Sequence, residues 1–243
     1  MASPACPNPP PSLPKDGKVS YLSGKRVSAF EYIPGKVAVR YVDVQTDEET
    51  TLSGDVLISA DGIHSTVRRL VNAPTLERYA GYVSWRGTVP ERELSEETCH
   101  YVVPTDDGNF KPRERLVNFV AAPFTEVLAK VQAPFVTKIN DAISASSSFH
   151  DGRVVLVGDA FASFRPHAAA ATEQCAFHCQ TLAQVYSGQM TMVAWERETR
   201  HYERHMVLLN HVVGDFGRGA VLSLLQALIS YAIFLIWKKF RRG

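Results

Sequence analysis

The chain has 243 residues, of which 45% are hydrophobic and 21% are charged, and these are values of a globular protein. This composition excludes a chain that is disordered throughout. The 26 basic and 25 acidic residues give a net charge of +1, which removes the electrostatic argument for nucleic acid as the main partner. Four cysteines are too few for a disulfide scaffold, and their spacing matches no zinc site.

The cysteine positions and the N-terminus indicate a reducing, intracellular setting. Cys175 and Cys179 stand one helical turn apart, with His178 beside Cys179. We interpret the two cysteines as buried thiols on a helix rather than as half of a metal site, and no metal is expected. Residues 1–18 are rich in proline and read as a flexible leader; they lack the basic start and apolar core of a signal peptide.

The first third of the chain predicts strands followed by a short helix. Residues 36–44 alternate between apolar and polar side chains, as a strand does. Residues 47–54 are polar and predict a turn. Residues 55–60 form an almost wholly apolar run, which is typical of a strand covered on both faces. An Asp-Gly turn follows, and a helix is expected to begin near Ser65.

The remainder of the chain predicts strands and then three long helices. Strands are expected at residues 79–89, 98–103 and 115–120, and helices at residues 124–130 and 135–145. Residues 153–160 repeat the design of an apolar strand that ends in a turn. Long helical patterns then cover residues 169–186, 190–213 and 220–237.

Two segments share one design, in which an apolar strand ends at an acidic residue beside glycine and a helix follows. The first turn is Ala60–Gly62 (ADG), and the second is Gly158–Ala160 (GDA). Glycine lets the backbone approach a ligand closely, and a carboxylate at the carboxyl end of a strand can accept hydrogen bonds from sugar hydroxyls. The N-terminus of the following helix offers free N–H groups to an anion. Either turn alone is explained as well by ordinary turn chemistry, whereas the pair indicates a cofactor site.

The surroundings of the two turns make the pattern more specific. The stretch DVLISADGIHSTVRRL, residues 55–70, resembles the DG motif of FAD-dependent aromatic-ring monooxygenases of the p-hydroxybenzoate hydroxylase type. The stretch GRVVLVGDAFASFRPHAAAATEQCAFHCQTLA, residues 152–183, resembles the GD motif of the same family. Residues 79–91 are similar to a run in the 2,6-dihydroxypyridine hydroxylase-like subgroup. The resemblance covers about residues 50–215, with both motifs in the family's order.

The resemblance implies an α/β fold, the FAD/NAD(P)-binding monooxygenase architecture, with FAD as cofactor and NADPH or NADH as reductant. It implies that Asp159 hydrogen-bonds a ribityl hydroxyl and that the loop at Pro166 lies against the isoalloxazine ring. The N–H groups near Ala170–Thr172 are expected to face the pyrimidine end of the flavin. The cofactor-binding residues it implies are Gly158, Asp159, Ala160, Pro166, Ala170, Ala171 and Thr172 at the GD motif, and Asp61, Gly62, Ser65 and Arg68 at the DG motif.

Two departures from the family pattern stand out. The Gly-x-Gly-x-x-Gly fingerprint, which holds the ADP half of FAD, does not occur in the sequence. The fold is therefore expected to be incomplete at its N-terminus, either as a shortened product or as a naturally incomplete domain. The family's usual glycine after Pro166 is also replaced, because the run from His167 to Thr172 contains four alanines. Alanine keeps the N–H donors but restricts the backbone.

The chain divides accordingly into five parts. Residues 1–18 are the leader, residues 19–75 and 150–187 the FAD-binding part, and residues 76–149 the substrate-domain sheet; residues 188–215 form a C-terminal helix and residues 219–243 an apolar helix with a basic end. No catalytic residue is assigned. Trp85 and Arg86 resemble a family strand on the substrate side, but half-exposed strand residues explain them equally well. His167 either acts on substrate or caps its loop, and the cap is favoured.

Residues 220–237 carry no charge and approach the length of about 20 residues that crosses a hydrocarbon core. The Trp-Lys-Lys-Phe-Arg-Arg ending is typical of an interfacial anchor. A spanning helix with its basic end in the cytoplasm would place the enzyme domain across the membrane from cytosolic NADPH, and a helix lying in the interface avoids this conflict. We expect an intracellular, membrane-associated protein; the alternative is a soluble cytoplasmic protein whose last helix lies in a core or dimer.

The sequence thus predicts a flavin- and NAD(P)H-dependent monooxygenase that uses O2 to hydroxylate or epoxidise a small aromatic or polyketide-like metabolite. Secondary metabolism or aromatic degradation is the expected setting, and no residue selects the substrate or the oligomeric state. The alternative from a different class is a non-catalytic, membrane-associated remnant of the fold that acts as a binding or interaction protein. The missing glycine fingerprint is the observation that supports this alternative.

Overall fold

The computed structural model describes residues 19–94, 106–107 and 122–240, which form a mixed α/β fold. Within these ranges the strands are β1 (Lys25–Ile33), β2 (Lys36–Asp43), β3 (Glu49–Gly54), β4 (Leu57–Ser59), β5 (Thr75–Arg86), β6 (Asp106–Asp107), β7 (Phe135–Ser144), β8 (Ser148–Phe149), β9 (Val154–Leu156) and β10 (Ala162–Ser163). The helices are α1 (Thr66–Leu70), α2 (Ala122–Lys130), α3 (Ala170–Tyr186), α4 (Met192–Gly217) and α5 (Val221–Phe240).

The first sheet is the antiparallel meander β1-β2-β3. The predicted strand at residues 36–44 is confirmed as β2, but the polar turn predicted at residues 47–54 is wrong. That segment contains β3, which pairs with β2 from Val37 opposite Gly54 to Val42 opposite Glu49. All six residues of β3 are exposed. Its polar composition therefore marks an edge strand without a buried face. The predicted leader, residues 1–18, lies outside the described residues.

The second sheet holds the two strands that end at the candidate turns. β4 and β9 run parallel, with Leu57 opposite Val154 and Ser59 opposite Leu156. The three residues of β9 have no exposed surface, as their apolar sequence predicts for a strand covered on both faces. The N–H of Val157 donates to the carbonyl of Ser59 at 2.9 Å, which continues the pairing. The carboxyl ends of the two strands therefore lie side by side.

The third sheet has the order β10-β7-β5-β6. β5 and β7 pair antiparallel from Thr75 opposite Ser144 to Arg86 opposite Phe135. The helix predicted at residues 135–145 is therefore wrong, because this segment is β7, whereas the strand at residues 79–89 is confirmed within β5. β10 comes directly after the second turn and pairs with β7, so it joins this sheet to the cofactor-binding part. The strands predicted at residues 98–103 and 115–120 lie outside the described residues.

Helices α3 and α4 pack over the end of β9. Trp195 of α4 has no exposed surface, and its indole N–H donates to the hydroxyl of Thr181 on α3 at 3.0 Å. The inner side of α3 carries His178, which is fully buried. Cys175 and Cys179 lie on the outer side and are exposed, so the prediction of two buried thiols is wrong. Their helical spacing is right, but the polar side of the helix is the one that faces inward.

Helix α5 lies along α4. The ring of Phe234 contacts His201 and His205, with centroids 5.0 and 5.8 Å apart, and His205 also faces Tyr231 at 5.5 Å. His201 contacts Trp237, whereas His205, which comes later in α4, contacts the earlier residue Tyr231 of α5. The two helices are therefore antiparallel. Among the described residues, α5 is long and apolar enough to cross a membrane. The helices predicted at residues 124–130, 169–186, 190–213 and 220–237 are all confirmed, with ends shifted by a few residues.

Candidate flavin site

The first turn is built around the carboxylate of Asp61. It accepts hydrogen bonds from the backbone N–H groups of Thr66 at 2.7 Å and Val67 at 3.2 Å, and from the hydroxyl of Ser59. Burial by itself would raise the pKa of Asp61, but these bonds and one from Ser65 outweigh it and lower the pKa. The carboxylate thus serves to hold the N-terminus of α1.

Ser65 and Arg68 complete this turn from within the protein. The buried hydroxyl of Ser65 caps α1 by accepting the N–H of Arg68 at 2.9 Å. The guanidinium of Arg68 is 6% exposed; it donates to the carbonyls of Ala160 at 2.8 Å and Asp159 at 3.3 Å, and to that of Ile63. Arg68 therefore links the first turn to the second, and its guanidinium is occupied by hydrogen bonds to backbone carbonyls.

The second turn leaves its carboxylate free. Gly158 has φ +56, and a Cβ placed on it would meet no atom within 4 Å, so the backbone is open to a ligand there. Asp159 is half-buried, and its carboxylate has no hydrogen bond to any other residue that the structure describes. Burial raises its pKa. An accessible, unpartnered acceptor at the end of β9 fits a ribityl hydroxyl, whereas the carboxylate of Asp61 is already occupied.

A buried polar group that sequence reasoning missed holds the second turn from behind. The Nδ1 atom of His178 accepts the N–H of Gly158 at 2.9 Å, and Gln174 donates to the carbonyls of Gly158 at 3.3 Å and Ala162 at 2.8 Å. Oε1 of Glu203 lies 2.7 Å from Nε2 of His178 and accepts from Gln174 at 3.1 Å. Burial raises the pKa of Glu203 in spite of these two partners, which lower it. The i, i+4 spacing of Gln174 and His178, which places both side chains on one side of α3, is the sequence signal that could have revealed this group.

The loop after Pro166 leads to the free N-terminus of α3. Ala169, where the family usually has glycine, adopts φ +49 and ψ 27, which is left-handed. Its side chain makes no capping hydrogen bond, so the first N–H groups of α3, at Ala170–Thr172, have no side-chain cap. Pro166, Ala171 and Thr172 are exposed and Ala170 is buried. The loop therefore leaves these N–H donors and the positive end of the helix dipole without a side-chain cap.

His167 fastens this loop to the neighbouring elements. Its Nε2 atom lies 2.7 Å from the hydroxyl of Tyr82 on β5, and its ring packs against Gly214 of α4. The N–H of Ala168 donates to the side-chain oxygen of Asn210, also on α4, at 3.1 Å. These contacts favour the loop-capping role of His167 over catalysis.

A buried charge cluster lies just before the loop and was not predicted. The side chain of Arg165 donates to Asp141 of β7 at 3.1 Å and to Asp215 of α4 at 3.2 Å, and its backbone N–H also donates to Asp141 at 3.1 Å. His211 lies 2.7 Å from Asp141, and Arg218 pairs with Asp215. The members of the cluster come from three segments that are distant along the chain, so no local pattern could reveal them. The cluster fixes the start of the loop on both the sheet and α4.

The predicted residues thus come together at one edge of the β4-β9 pair. The exposed or half-buried members are Asp61, Gly62, Asp159, Pro166, Ala171 and Thr172, and the backbone of Gly158 leaves open space beside the second turn. Ser65, Arg68, Ala160 and Ala170 are buried and support the turns. Arg86, predicted on the substrate side, lies at the end of β5 with an exposed side chain.

Comparisons with known proteins show what the chain is similar to. The sequence model of a family described as "FAD binding domain" matches residues 12–115. The chain is 26% identical to the 2,6-dihydroxypyridine 3-monooxygenase of Paenarthrobacter nicotinovorans, in an alignment that covers 70% of this chain and 58% of that protein. The chain is thus similar in sequence to FAD-dependent aromatic-ring monooxygenases.

Solved structures of FAD-dependent enzymes are similar to this chain in fold. The structure of 2,6-dihydroxypyridine-3-hydroxylase from Arthrobacter nicotinovorans matches with a TM-score of 0.58 at 21% identity, covering 86% of this chain and 66% of that one. Klebsiella pneumoniae HpxO complexed with FAD and uric acid matches with a TM-score of 0.56 at 25% identity, covering 87% and 62%. The predicted resemblance to FAD-dependent aromatic-ring monooxygenases, the predicted α/β fold class and FAD as cofactor are thereby confirmed. The chain spans 58% of the length of the curated relative.

Proposed function

We propose that the protein is a monooxygenase that uses FAD, NADPH or NADH, and O2 to oxygenate a small aromatic or polyketide-like metabolite. The observation that carries the proposal is the unpartnered carboxylate of Asp159 beside the uncapped N-terminus of α3. Residues 19–75 and 150–187 would form the FAD-binding part, and residues 76–149 the substrate-domain sheet. An interior polar group that holds the turn, led by His178, supports a binding site rather than a chance surface loop.

When bound, FAD supplies the chemistry of hydride acceptance and oxygen activation, and the protein supplies binding, orientation and electrostatics. Asp159 would accept a hydrogen bond from a ribityl hydroxyl. The N–H groups at Ala170–Thr172 would stabilise negative charge at the pyrimidine end of the ring, because the dipole of a helix favours an anion at its N-terminus. The buried contacts of Arg165 and His167 keep the loop at Pro166 in place, so little reorganisation is needed when ligand binds.

The relatives indicate the class of substrate. The names of the two proteins described above refer to a dihydroxypyridine and to uric acid, which are both planar nitrogen heterocycles. The sheet formed by β5 and β7 lies next to the second turn through β10, so a planar substrate bound on this sheet would lie close to the loop at Pro166. A role in secondary metabolism or aromatic degradation is part of the same proposal.

Replacing Asp159 with alanine tests the site. We expect the dissociation constant of FAD to rise at least tenfold, since a hydrogen bond to a charged group contributes about 1.5–3 kcal/mol. The control is Asp55→Ala, which removes an exposed carboxylate at the opposite end of β4. Equilibrium dialysis with FAD gives the affinity, and substrate-stimulated NADPH oxidation gives the activity. Unchanged FAD affinity in Asp159→Ala would reject this contact, and a wild-type protein that binds no flavin would favour the non-catalytic alternative.

A further inference from the structure

Helix α5 turns one side to α4 and leaves the opposite side uncovered by other described residues. On the side that faces α4, Phe234 is 2% exposed. On the opposite side, large apolar residues are 58% to 84% exposed: Val221, Leu222, Ile229, Ile233, Ile236 and Phe240. A continuous apolar surface of this kind marks an interaction site, because soluble monomers rarely expose one.

The border of this surface is basic. Helix α5 contains no acidic residue and carries Lys238 and Lys239 in its last turn. Along α4, Arg197, Arg200 and Arg204 line the groove next to Trp237 of α5 and outnumber the acidic residues there, which are Glu196 in the same groove and Glu198 beside Lys238. Arg200 pairs with Glu196 at 2.9 Å, whereas Arg197 and Arg204 form no ion pair within the described part of the chain; Arg204 lies over the ring of Phe234 at 5.9 Å. An apolar strip with basic side chains at its edge is complementary to an anionic lipid surface.

The packing against α4 decides how α5 could meet a membrane. His201 and His205 contact the ring of Phe234, so α4 and α5 form one layer. If α5 crossed the bilayer, Glu203 and Arg204 of α4 would enter the hydrocarbon region with it, and charged groups are costly there. If α5 lies flat, its apolar side enters the lipid while α4 stays on the water side. The geometry therefore favours the flat orientation.

We propose that α5 lies in the plane of a membrane surface rich in anionic lipid, with its outer side among the acyl chains and the flanking basic residues at the headgroups. A second copy of the chain is the competing occupant of this face. Self-association would bring two sets of the same basic residues, Arg197, Arg204, Lys238 and Lys239, towards each other, whereas anionic lipid neutralises them. The proposal is independent of the flavin assignment, because none of these residues lies at the candidate flavin site.

Flotation of the full chain with preformed vesicles tests the apolar side. We expect the protein to float with vesicles of equal amounts of phosphatidylcholine and phosphatidylserine. In the double variant Ile229→Glu, Ile233→Glu the partition coefficient should fall about tenfold or more, since the variant places two charges on the side of α5 that enters the acyl chains. The control Leu76→Glu makes the same change at an apolar residue of β5 that is 73% exposed, and its binding should be unchanged. Circular dichroism checks that the variants stay folded.

A second pair of substitutions tests the charge. Arg197→Gln with Lys239→Gln should weaken binding to the phosphatidylserine vesicles by about tenfold or more, since each basic residue near an anionic surface contributes several-fold. Binding to vesicles of phosphatidylcholine alone should not change. The control is Lys36→Gln, an exposed lysine on β2. Equal loss on both kinds of vesicle would contradict a role in lipid charge recognition.

Three outcomes would overturn the proposal. In the first, the protein binds neither kind of vesicle and stays monomeric by light scattering, which would mean that its own chain covers the apolar side of α5. A dimer that Ile229→Glu with Ile233→Glu dissociates, without vesicle binding, assigns the face to a second copy. Vesicle binding that resists alkaline carbonate would indicate a spanning helix and reject the flat orientation.

Discussion

The guanidinium of Arg68 donates a hydrogen bond of 2.8 Å to the carbonyl oxygen of Ala160, which follows it by 92 residues along the chain. This contact holds the turn after β4 against the turn after β9. Arg68 also donates to the carbonyls of Asp159 and Ile63, so one buried side chain satisfies three backbone acceptors. The spacing between the two candidate motifs is therefore set by a side chain of the first and the backbone of the second.

Arg68→Ala should lower the free energy of unfolding by about 2–4 kcal/mol, because it removes hydrogen bonds to a charged group and leaves buried carbonyls unpaired. Urea unfolding at neutral pH measures the change. The matched control is Arg69→Ala on the same helix, where the side chain is exposed and bonds only the hydroxyl of Thr66. A similar loss in the two variants would show that the bridge between the turns contributes nothing of its own.

Asp61→Asn should destabilise the protein at neutral pH by about 1 kcal/mol, the usual contribution of a residue that caps a helix N-terminus. The pKa of Asp61 is lowered in the folded protein, so the contribution of its carboxylate is present above the unfolded pKa of about 3.9. It is lost as the pH falls through the folded pKa. The difference in unfolding free energy between wild type and variant should therefore shrink in acid, and a difference independent of pH would contradict this account.

Ala169→Gly should stabilise the protein by about 1 kcal/mol. The alanine adopts φ +49, and a left-handed conformation costs residues with a Cβ about 1–2 kcal/mol. The control is Ala171→Gly in the first turn of α3, where the backbone is helical and the same change should cost up to about 1 kcal/mol. Thermal unfolding of the two variants should give melting temperatures on opposite sides of wild type. Changes of the same sign would contradict the strain at Ala169.

Glu203→Gln should change the pH dependence of stability. The pKa of Glu203 is raised by burial, so its contribution is fully present below the unfolded pKa of about 4.3 and is lost as the pH rises through the folded pKa. The stability of wild type relative to the variant should therefore fall between acid and neutral pH. Urea unfolding at several pH values measures this trend. Glu198→Gln, an exposed position on the same helix, should show no such trend.

The sequence predicts the two turns better than it predicts the sheets. The turns at Asp61 and Asp159 follow short apolar runs whose burial is encoded locally. In contrast, β3 consists of exposed residues and has no apolar alternation to detect. β7 carries apolar residues at positions that also suit a helix, and only its long pairing with β5 decides the outcome. Pairing between distant segments has no local signature, so the tertiary structure, rather than the local secondary-structure propensity, determines that residues 135–144 form a strand.

The supporting groups of the site were missed for the same reason. Glu203 lies on α4 in a heavily charged run that reads as a solvated surface, yet the residue is 1% exposed and faces His178. Arg165 reads as a loop residue, although it pairs with two aspartates from other elements. Buried polar groups are recognisable only when their partners are known, because each one alone has the composition of a surface.

Helix α4 spans 26 residues, which is about 39 Å of continuous helix. Its middle carries His201 and His205, whose rings contact Phe234, and its C-terminal part holds the loop after Pro166 through Asn210 and Gly214. A helix of this length moves as a rod, so a displacement imposed at one end reaches the other. If lipid binds along α5 and flavin binds at the loop after Pro166, thermodynamic linkage requires that any effect of lipid on the affinity for flavin be matched by an equal effect of flavin on the affinity for lipid.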